Sequence, residues 1–361
     1  MLRYSSISST FRKLQRGMKC IRLHTNDAIN HHHHHSTKPK VSYLDLQNSG
    51  LSAIERLCLE EALLRHDPLN RSWAIVGTHE PTEQMHLHNE DGKIRDNNSC
   101  LIILGIGGKP ELLLDVDKVK KDNVLTVKRF SGGGTVVIDR NSLWTTFIGR
   151  TEDFPNVDPY PRSIMSWSAN EIFDKVFQNM KYDTIHKSGK VLKKTMVVDA
   201  KSCGTAQDSG KTITYIANDD SSAGVDIPDF RLEENDYILG DRKMGGNAQA
   251  IVKGGWLHHT SFLFDYEDEN MGYLTLPNKR PEYRGDRSHD DFLVKLKSVY
   301  GSDPDDDSAK RAFFYHVKCA AFDSFEMEEV LLKDAMKVVD NLGGMQAWFD
   351  GKCRTKVVDF E

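Results

Sequence analysis

The sequence predicts an α+β fold. Its β-rich segments come in runs instead of alternating with helices, one helical stretch precedes them, and helical stretches follow them. The first of these helices is carried by Leu51, Ile54, Leu57, Cys58 and Leu64, which repeat at helical spacing across LSAIERLCLEEALLRHDP until Pro68 closes the pattern. A short apolar run at Trp73–Val76 is expected to be the first strand. The polar segment Glu80–Ser99 reads as an exposed insertion. Its neighbour His79 and its own His86 and His88 lack the spacing on a regular element that a metal site needs.

The runs Cys100–Gly105, Val124–Phe130, Thr135–Asp139 and Leu143–Ile148 are dense in β-branched and aromatic residues and read as strands. After Pro161, Ile164, Trp167, Ile172 and Val176 give Ser163–Phe177 an amphipathic helical face. Thr195–Ala200, Thr212–Ala217, Tyr237–Leu239, Ala248–Val252 and Trp256–Phe264 are expected as further strands, with Asp219–Pro228 as a loop. From Ser288 onward DFLVKLKSVY, AKRAFFYHVKCAAF and FEMEEVLLKDAMKVVDNL have helical spacing, and Gly343–Gly344 stops the last of them. Residues 41–287 thus read as the main domain and 288–361 as a helical extension completing its core. No internal repeat is present.

The formal charge of −5 conceals an asymmetry: Arg3, Arg12, Lys13, Arg16, Lys19 and Arg22 precede the first acid, Asp27, so the rest of the chain carries −11. An acidic body argues against nucleic acid as a partner. No apolar run approaches the roughly 18 residues of a membrane span. The basic, Ser-rich, acid-free start reads as a mitochondrial transit peptide and predicts a matrix location. The His31–His35 run reads as part of a linker ending near residue 40. Six cysteines without a C-x-x-C pair predict isolated thiols in a reducing compartment.

Two segments carry chemistry. In VKRFSGGGTVVID (Val127–Asp139) three consecutive glycines sit between β-rich runs. Glycine is costly there, and the usual return is close approach of backbone N–H groups to a ligand. No Gly-Lys-Ser/Thr follows, so a P-loop is disfavoured, and Gly105–Gly108 lacks the spacing of a dinucleotide fingerprint. In NDYILGDRKMGGNAQ (Asn235–Gln249) a carboxylate, Asp236, and a lysine, Lys243, frame the pair Gly245–Gly246. An ammonium beside a glycine-lined cavity can neutralise charge developing on carbonyl or phosphate oxygens, and a carboxylate there can hold Mg²⁺ against phosphates. Taken singly, a lysine such as Lys243 is more often a solvated hairpin residue and an aspartate such as Asp236 a turn residue.

Together these segments resemble the catalytic domain of the lipoate–protein ligase A family over roughly Leu44 to Arg287. Lys128, Arg129, Phe130, Ser131, Gly132, Gly133, Gly134, Thr135, Val136, Val137, Ile138 and Asp139 stand where the family has R-R-x-S-G-G-G-x-V-x-H-D. Asn235–Asp236, Asp241-Arg242-Lys243 and Gly246-Asn247-Ala248 match its second element, and His258–Thr260 its His-His-x-Thr strand. The resemblance implies a mixed, mostly antiparallel sheet flanked by helices, as in biotin ligases and class II synthetase cores. It also implies an activity: lipoate, or octanoate, is activated by ATP with Mg²⁺ as acyl-AMP and passed to an acceptor lysine. By position, Lys243 would be the catalytic residue and Asp236 the metal ligand. Arg129, Ser131, Gly132, Gly133, Gly134, Thr135, Asn235, Gly246 and Ala248 would bind the acyl-adenylate, and Trp73, Leu104 and Ile106 would line the acyl tunnel. The implied partners are lipoyl domains of 2-oxoacid dehydrogenase complexes and the glycine-cleavage H protein.

Two departures from the family pattern stand out: Lys128 replaces an arginine and Ile138 a histidine. Residues 288–361 also look unlike the accessory domain that many bacterial ligases append. Two other chemistries therefore stay open at the level of sequence. One is an ATP-independent octanoyl or lipoyl transferase, for which Cys203 in SCGT is the candidate nucleophile. The other is a non-catalytic lipoyl-binding homologue.

Overall fold

Ser52 starts the first helix, α1 (Ala53–His66), through a reciprocal capping box. Glu55 N donates to Ser52 Oγ at 3.2 Å, and Ser52 N donates to Glu55 Oε2 at 2.8 Å. The helix is buried nearly all round, including Arg56, Glu60 and Glu61. Such burial requires cover on every side, and each charge requires a partner. The computed structural model that shows this describes residues 38–79, 100–187, 192–194, 215–217, 227–276, 280–301 and 307–360.

The strands among these residues are β1 (Lys40–Asp45), β2 (Ser72–Thr78), β3 (Cys100–Leu104), β4 (Thr126–Lys128), β5 (Val136–Asp139), β6 (Ser142–Arg150), β7 (Leu192–Lys194), β8 (Tyr215–Ala217), β9 (Phe230–Glu233), β10 (Asp236–Leu239), β11 (Arg242–Val252), β12 (Gly255–Leu263), β13 (Glu326–Glu329) and β14 (Lys356–Val357). Eight of them form one sheet in the order β13-β1-β2-β6-β12-β11-β10-β9. Only β1 with β13 and β1 with β2 pair in parallel; the other pairings are antiparallel. A four-stranded sheet, β14-β4-β3-β5, packs on one face of the large sheet, and β7 pairs with β8. The fold is α+β with a mixed, mostly antiparallel sheet and flanking helices, as the sequence predicts.

Helices cover both faces. On one lie α2 (Pro161–Ser168), a single π-turn segment Ala169–Phe173, α3 (Asp174–Lys187) and α4 (Ser308–Ser324), around Phe147, Phe173, Phe177, Phe262 and Phe313. On the other lie α1, the small sheet, α5 (Leu332–Asp340) and α6 (Met345–Asp350). Arg150 ties α1 to the sheet: its Nη1 and Nη2 donate to the orphan carbonyls of Leu64 and Leu63 at 2.8 and 2.9 Å. The C-terminal segment is anchored on α1 as well, through Trp348 Nε1 donating to the Cys58 carbonyl at 2.9 Å and the Cys58 and Cys353 thiols 3.5 Å apart.

Several elements differ from the sequence reading. Trp73–Val76 lies within β2 and is not the first strand, since β1 precedes it. Residues 326–329 of the expected helix FEMEEVLLKDAMKVVDNL are strand β13, because Glu326–Glu329 pairs in parallel with Lys40–Tyr43 and tertiary pairing outweighs the helical propensity of Glu and Met. The helix resumes only at Leu332. Ser163–Phe177 is helical as expected but includes the π-turn. The expected segments Glu80–Ser99 and Thr195–Ala200 lie outside the described residues, as do most of Asp219–Pro228 and the first residues of Thr212–Ala217.

Candidate active site

The loop Arg129–Thr135 joins β4 to β5 and lies against β11. Gly132 N donates to the Gln249 carbonyl at 2.8 Å, and Ile106 N donates to the Ser131 carbonyl at 2.9 Å. Gly133 has φ +93°, which disfavours any side chain. A Cβ there would also lie 2.7 Å from the Asn247 carbonyl oxygen, and one on Gly105 would lie 2.3 Å from that of Gly133. These glycines let three backbone segments touch.

Arg129 holds the loop from within. Its Nε donates to Ser131 Oγ (3.0 Å), Nη1 to the Ile103 carbonyl (3.3 Å), and Nη2 to the carbonyls of Gly132 and Gly134 (2.7 and 2.8 Å). The residue is buried, and desolvation pushes the guanidinium down to about 10. Arg129 and the fully buried Ser131 therefore shape the loop, while the surface it presents is backbone at Gly133 and Gly134, both exposed. Thr135 Oγ1 is buried with no hydrogen-bond partner among the described residues.

Lys243 reaches this loop because of a β-bulge. Asp236 pairs with Gly246 and Tyr237 with Gly245, but Ile238 pairs with Lys243, so Met244 is the extra residue. In a regular strand residues 243 and 246 would point to opposite faces; one inserted residue brings Lys243 onto the face of Asp236 and Gly246. There Lys243 Nζ lies 2.8 Å from Asp236 Oδ1, and Tyr283 Oη donates to Asp236 Oδ2 at 2.9 Å. Burial, and next the Asp236 charge, raise the Tyr283 pKa, so Tyr283 remains a neutral donor. A Cβ on Gly246 would lie 3.8 Å from Lys243 Nζ and 3.5 Å from Val136 Cγ1, the first strand residue after the glycine loop. Ammonium, Gly246 and loop exit thus share one spot.

Other predicted residues sit around it. Ala248 Cα lies 3.1 Å from the Cβ position of Gly133. Asn235 contributes its carbonyl to Asn247 Nδ2 at 3.2 Å, and Thr260 Oγ1 donates to Asn247 Oδ1 at 2.8 Å. The paired histidines look in opposite directions. His259 faces α1, with Nδ1 3.0 Å from Glu60 Oε2. His258 lies on the far side: Nδ1 accepts from Gln249 Nε2 at 3.0 Å, which leaves Nε2–H for Ser168, Tyr237 and Thr260.

Burial pushes His258 down to about 3 and His79 to about 4, against 6.5 in an unfolded chain. Unfolding must therefore protonate both rings at mild acidity. Stability is complete above pH 6.5 and falls as pH drops through the window from 6.5 toward 3. We expect the thermal midpoint to decline from pH 7.5 to pH 5, and His258→Gln to flatten that decline; an equal slope in the variant would remove His258 from this effect.

The pattern of the lipoyl protein ligase A/B catalytic domain matches residues 93–218 and 219–318, more than half of the chain. The chain belongs to that family. It is 30% identical over 256 residues to the inactive lipoate–protein ligase 2 of Plasmodium falciparum (isolate 3D7), a match covering 69% of this chain and 62% of that relative's length. Among solved structures it is similar to lipoate-protein ligase A bound with ATP, at 16% identity and TM-score 0.49 over 85% of this chain and 94% of the other. It is also similar to P. falciparum LipL1 in complex with lipoate, at 15% identity and TM-score 0.47 over 90% of this chain and 76% of the other.

Not every residue expected of a lipoyl ligase site converges in this one. Trp73 is sealed in the core beside α1 with Nε1 donating to Asp67 at 3.0 Å, Leu104 belongs to a different apolar cluster, and Ile106 is exposed. These three do not form a common tunnel. Ile138 points into the core with Phe130, Trp144 and Leu257, so the residue in the family's histidine position is here a packing residue. Asp139 holds the β5–β6 turn, accepting from Asn141 N at 2.9 Å and Ser142 Oγ at 3.3 Å. Cys203 lies outside the described residues. Among those residues no group of three or more His, Cys, Asp or Glu is placed to hold a metal. Asp236 is the one carboxylate beside Lys243 in the arrangement described above, and Mg²⁺ bound largely through phosphates needs no more than one or two.

Proposed function

We propose that this chain is an ATP-dependent lipoate–protein ligase. The observation that carries the proposal is Lys243 Nζ, fixed by Asp236 and the bulge over Gly246 at the exit of the glycine loop. In the first half-reaction a carboxylate oxygen of lipoate or octanoate attacks the α-phosphorus of ATP, and the bond to the β-phosphate oxygen breaks to release pyrophosphate. In the second, the amine of an acceptor lysine attacks the acyl carbonyl, the carbon–oxygen bond to phosphate breaks, and AMP leaves as the amine loses a proton. Negative charge develops on carbonyl and phosphate oxygens in both steps, and a pre-positioned ammonium stabilises it.

The loop's free character fits this role. Gly133 and Gly134 expose backbone, and the unpartnered Thr135 Oγ1 beside them can engage a phosphate or acyl oxygen. Asp236 is the residue that would hold Mg²⁺, which when bound neutralises the leaving pyrophosphate. The acceptors on this reading are lipoyl domains of 2-oxoacid dehydrogenase complexes and the glycine-cleavage H protein, met in the mitochondrial matrix after removal of the basic N-terminal segment. A solved relative, an archaeal bipartite lipoate protein ligase with its E2 lipoyl domain, supports the acceptor class.

One observation favours a second reading, a non-catalytic lipoyl-binding homologue: the P. falciparum relative is named inactive. Lipoate-dependent exchange of label between pyrophosphate and ATP separates the two. Exchange above the lipoate-free background supports the ligase. Background exchange with lipoate binding intact supports the homologue that only binds.

A further inference from the structure

Sequence spacing predicts isolated thiols, yet the fold brings two of the six cysteines together from positions 295 residues apart. Cys58 lies on α1, and Cys353 lies on the strap that leaves α6 at Gly351 and runs to β14. Their Sγ atoms are 3.5 Å apart and both residues are buried. Sulfurs in a disulfide are about 2 Å apart, so an approach of roughly 1.5 Å joins these two.

The strap connects α1 to the base of the glycine loop. On the α1 side, Trp348 Nε1 donates to the Cys58 carbonyl at 2.9 Å, and Arg354 N donates to Glu61 Oε2 at 2.9 Å. On the other side, Lys356 and Val357 pair with Lys128 and Val127 of β4, and Val358 N donates to the Thr126 carbonyl at 2.8 Å. Arg129 and the loop it holds follow β4 directly. A strand of two residues at the end of such a strap opens locally at low cost.

The two sulfurs have different surroundings. Cys353 Sγ lies 3.2 Å from Glu61 Oε2, a carboxylate placed to take its proton. Cys58 is held as a thiol, because its contact with Cys353, and next its burial, raise its pKa. Cys353 is therefore the sulfur that reacts first and Cys58 the one that follows.

We propose that Cys58 and Cys353 form a reversible disulfide that staples the strap to α1, with a small disulfide such as oxidised glutathione as the oxidant. When the strap lifts, the Cys353 thiol passes its proton to Glu61 and the thiolate attacks one sulfur of the oxidant. The S–S bond of the oxidant breaks, and one glutathione leaves carrying that proton. As the strap closes, Cys58 gives up its proton and attacks the Cys353 sulfur of the mixed disulfide. The second glutathione then leaves with the second proton. The chain has lost two hydrogens and the oxidant has gained two. Closing so long a loop removes freedom from the unfolded chain, and in the folded one it tethers β14, and with it β4, to α1.

A peptide map of the full chain under non-reducing conditions, after incubation with oxidised glutathione, tests this. The expected product is a linked peptide pair joining Cys58 to Cys353. The oxidised chain should melt about 5 °C higher than the reduced one, and amide exchange at Lys356–Val358 should slow about tenfold. A dithiol reductant should reverse all three changes. Cys353→Ala, which keeps a small apolar side chain in place, should show none of them. An unchanged map, linkage through other cysteines, or a glutathione adduct that Cys58 does not resolve would overturn the proposal. So would a rise in midpoint that persists in Cys353→Ala. If that variant does not fold, the map of the wild-type chain decides alone.

Discussion

Lys243→Ala is expected to lower acyl-adenylate formation by about 10²–10³-fold, the loss seen when a pre-positioned charge stabiliser is deleted, with the fold intact. The Lys243 side chain is 25% exposed, whereas its partner Asp236 is buried and would keep only the Tyr283 hydrogen bond, so the variant leaves a carboxylate without its counter-charge. Leaving a buried group short of its partner costs about 1–3 kcal/mol, and the thermal midpoint should fall by several degrees, up to about 8 °C. Lipoate-dependent exchange and a melting curve on the same preparation check both halves. Full exchange activity in the variant would remove Lys243 from the chemistry, and a large drop in midpoint would make it a structural residue.

Arg129→Met is expected to act in the opposite manner, on the fold first. Its guanidinium satisfies the carbonyls of Ile103, Gly132 and Gly134 from a buried position, and methionine fills comparable length while donating nothing. Breaking such a network costs about 3–5 kcal/mol, or roughly 10 °C in midpoint, and the glycine loop should lose its shape along with its activity. An arginine reserved for substrate would behave differently: the free protein would melt normally and only KM would rise. That result would contradict the loop-holding role.

The glycine loop and Lys243 were legible in the sequence because their chemistry is unusual for their surroundings. Gly132–Gly134 interrupt β-rich runs, and a lysine with an aspartate frames a second glycine pair. The face Lys243 occupies was not legible, since it depends on one bulge residue, Met244, that no local pattern announces. Arg56 and Glu60 were hidden for another reason. Charged residues on a helix look alike in sequence whether solvated or buried, and only the cover supplied by the sheet makes them a buried pair. The acyl tunnel built from Trp73, Leu104 and Ile106 failed because hydrophobicity marks burial without saying which side of a sheet is buried. Glu326–Glu329 became a strand through pairing with β1, from the far end of the chain.

The intact mass of an apo lipoyl domain, followed after incubation with this chain, lipoate and Mg²⁺, tests the central claim most directly when run with and without ATP. A lipoyl-sized gain on the acceptor that requires ATP is the predicted result. No gain in either condition, with lipoate binding to the chain demonstrated, would contradict the ligase and leave a protein that holds the acyl group without transferring it.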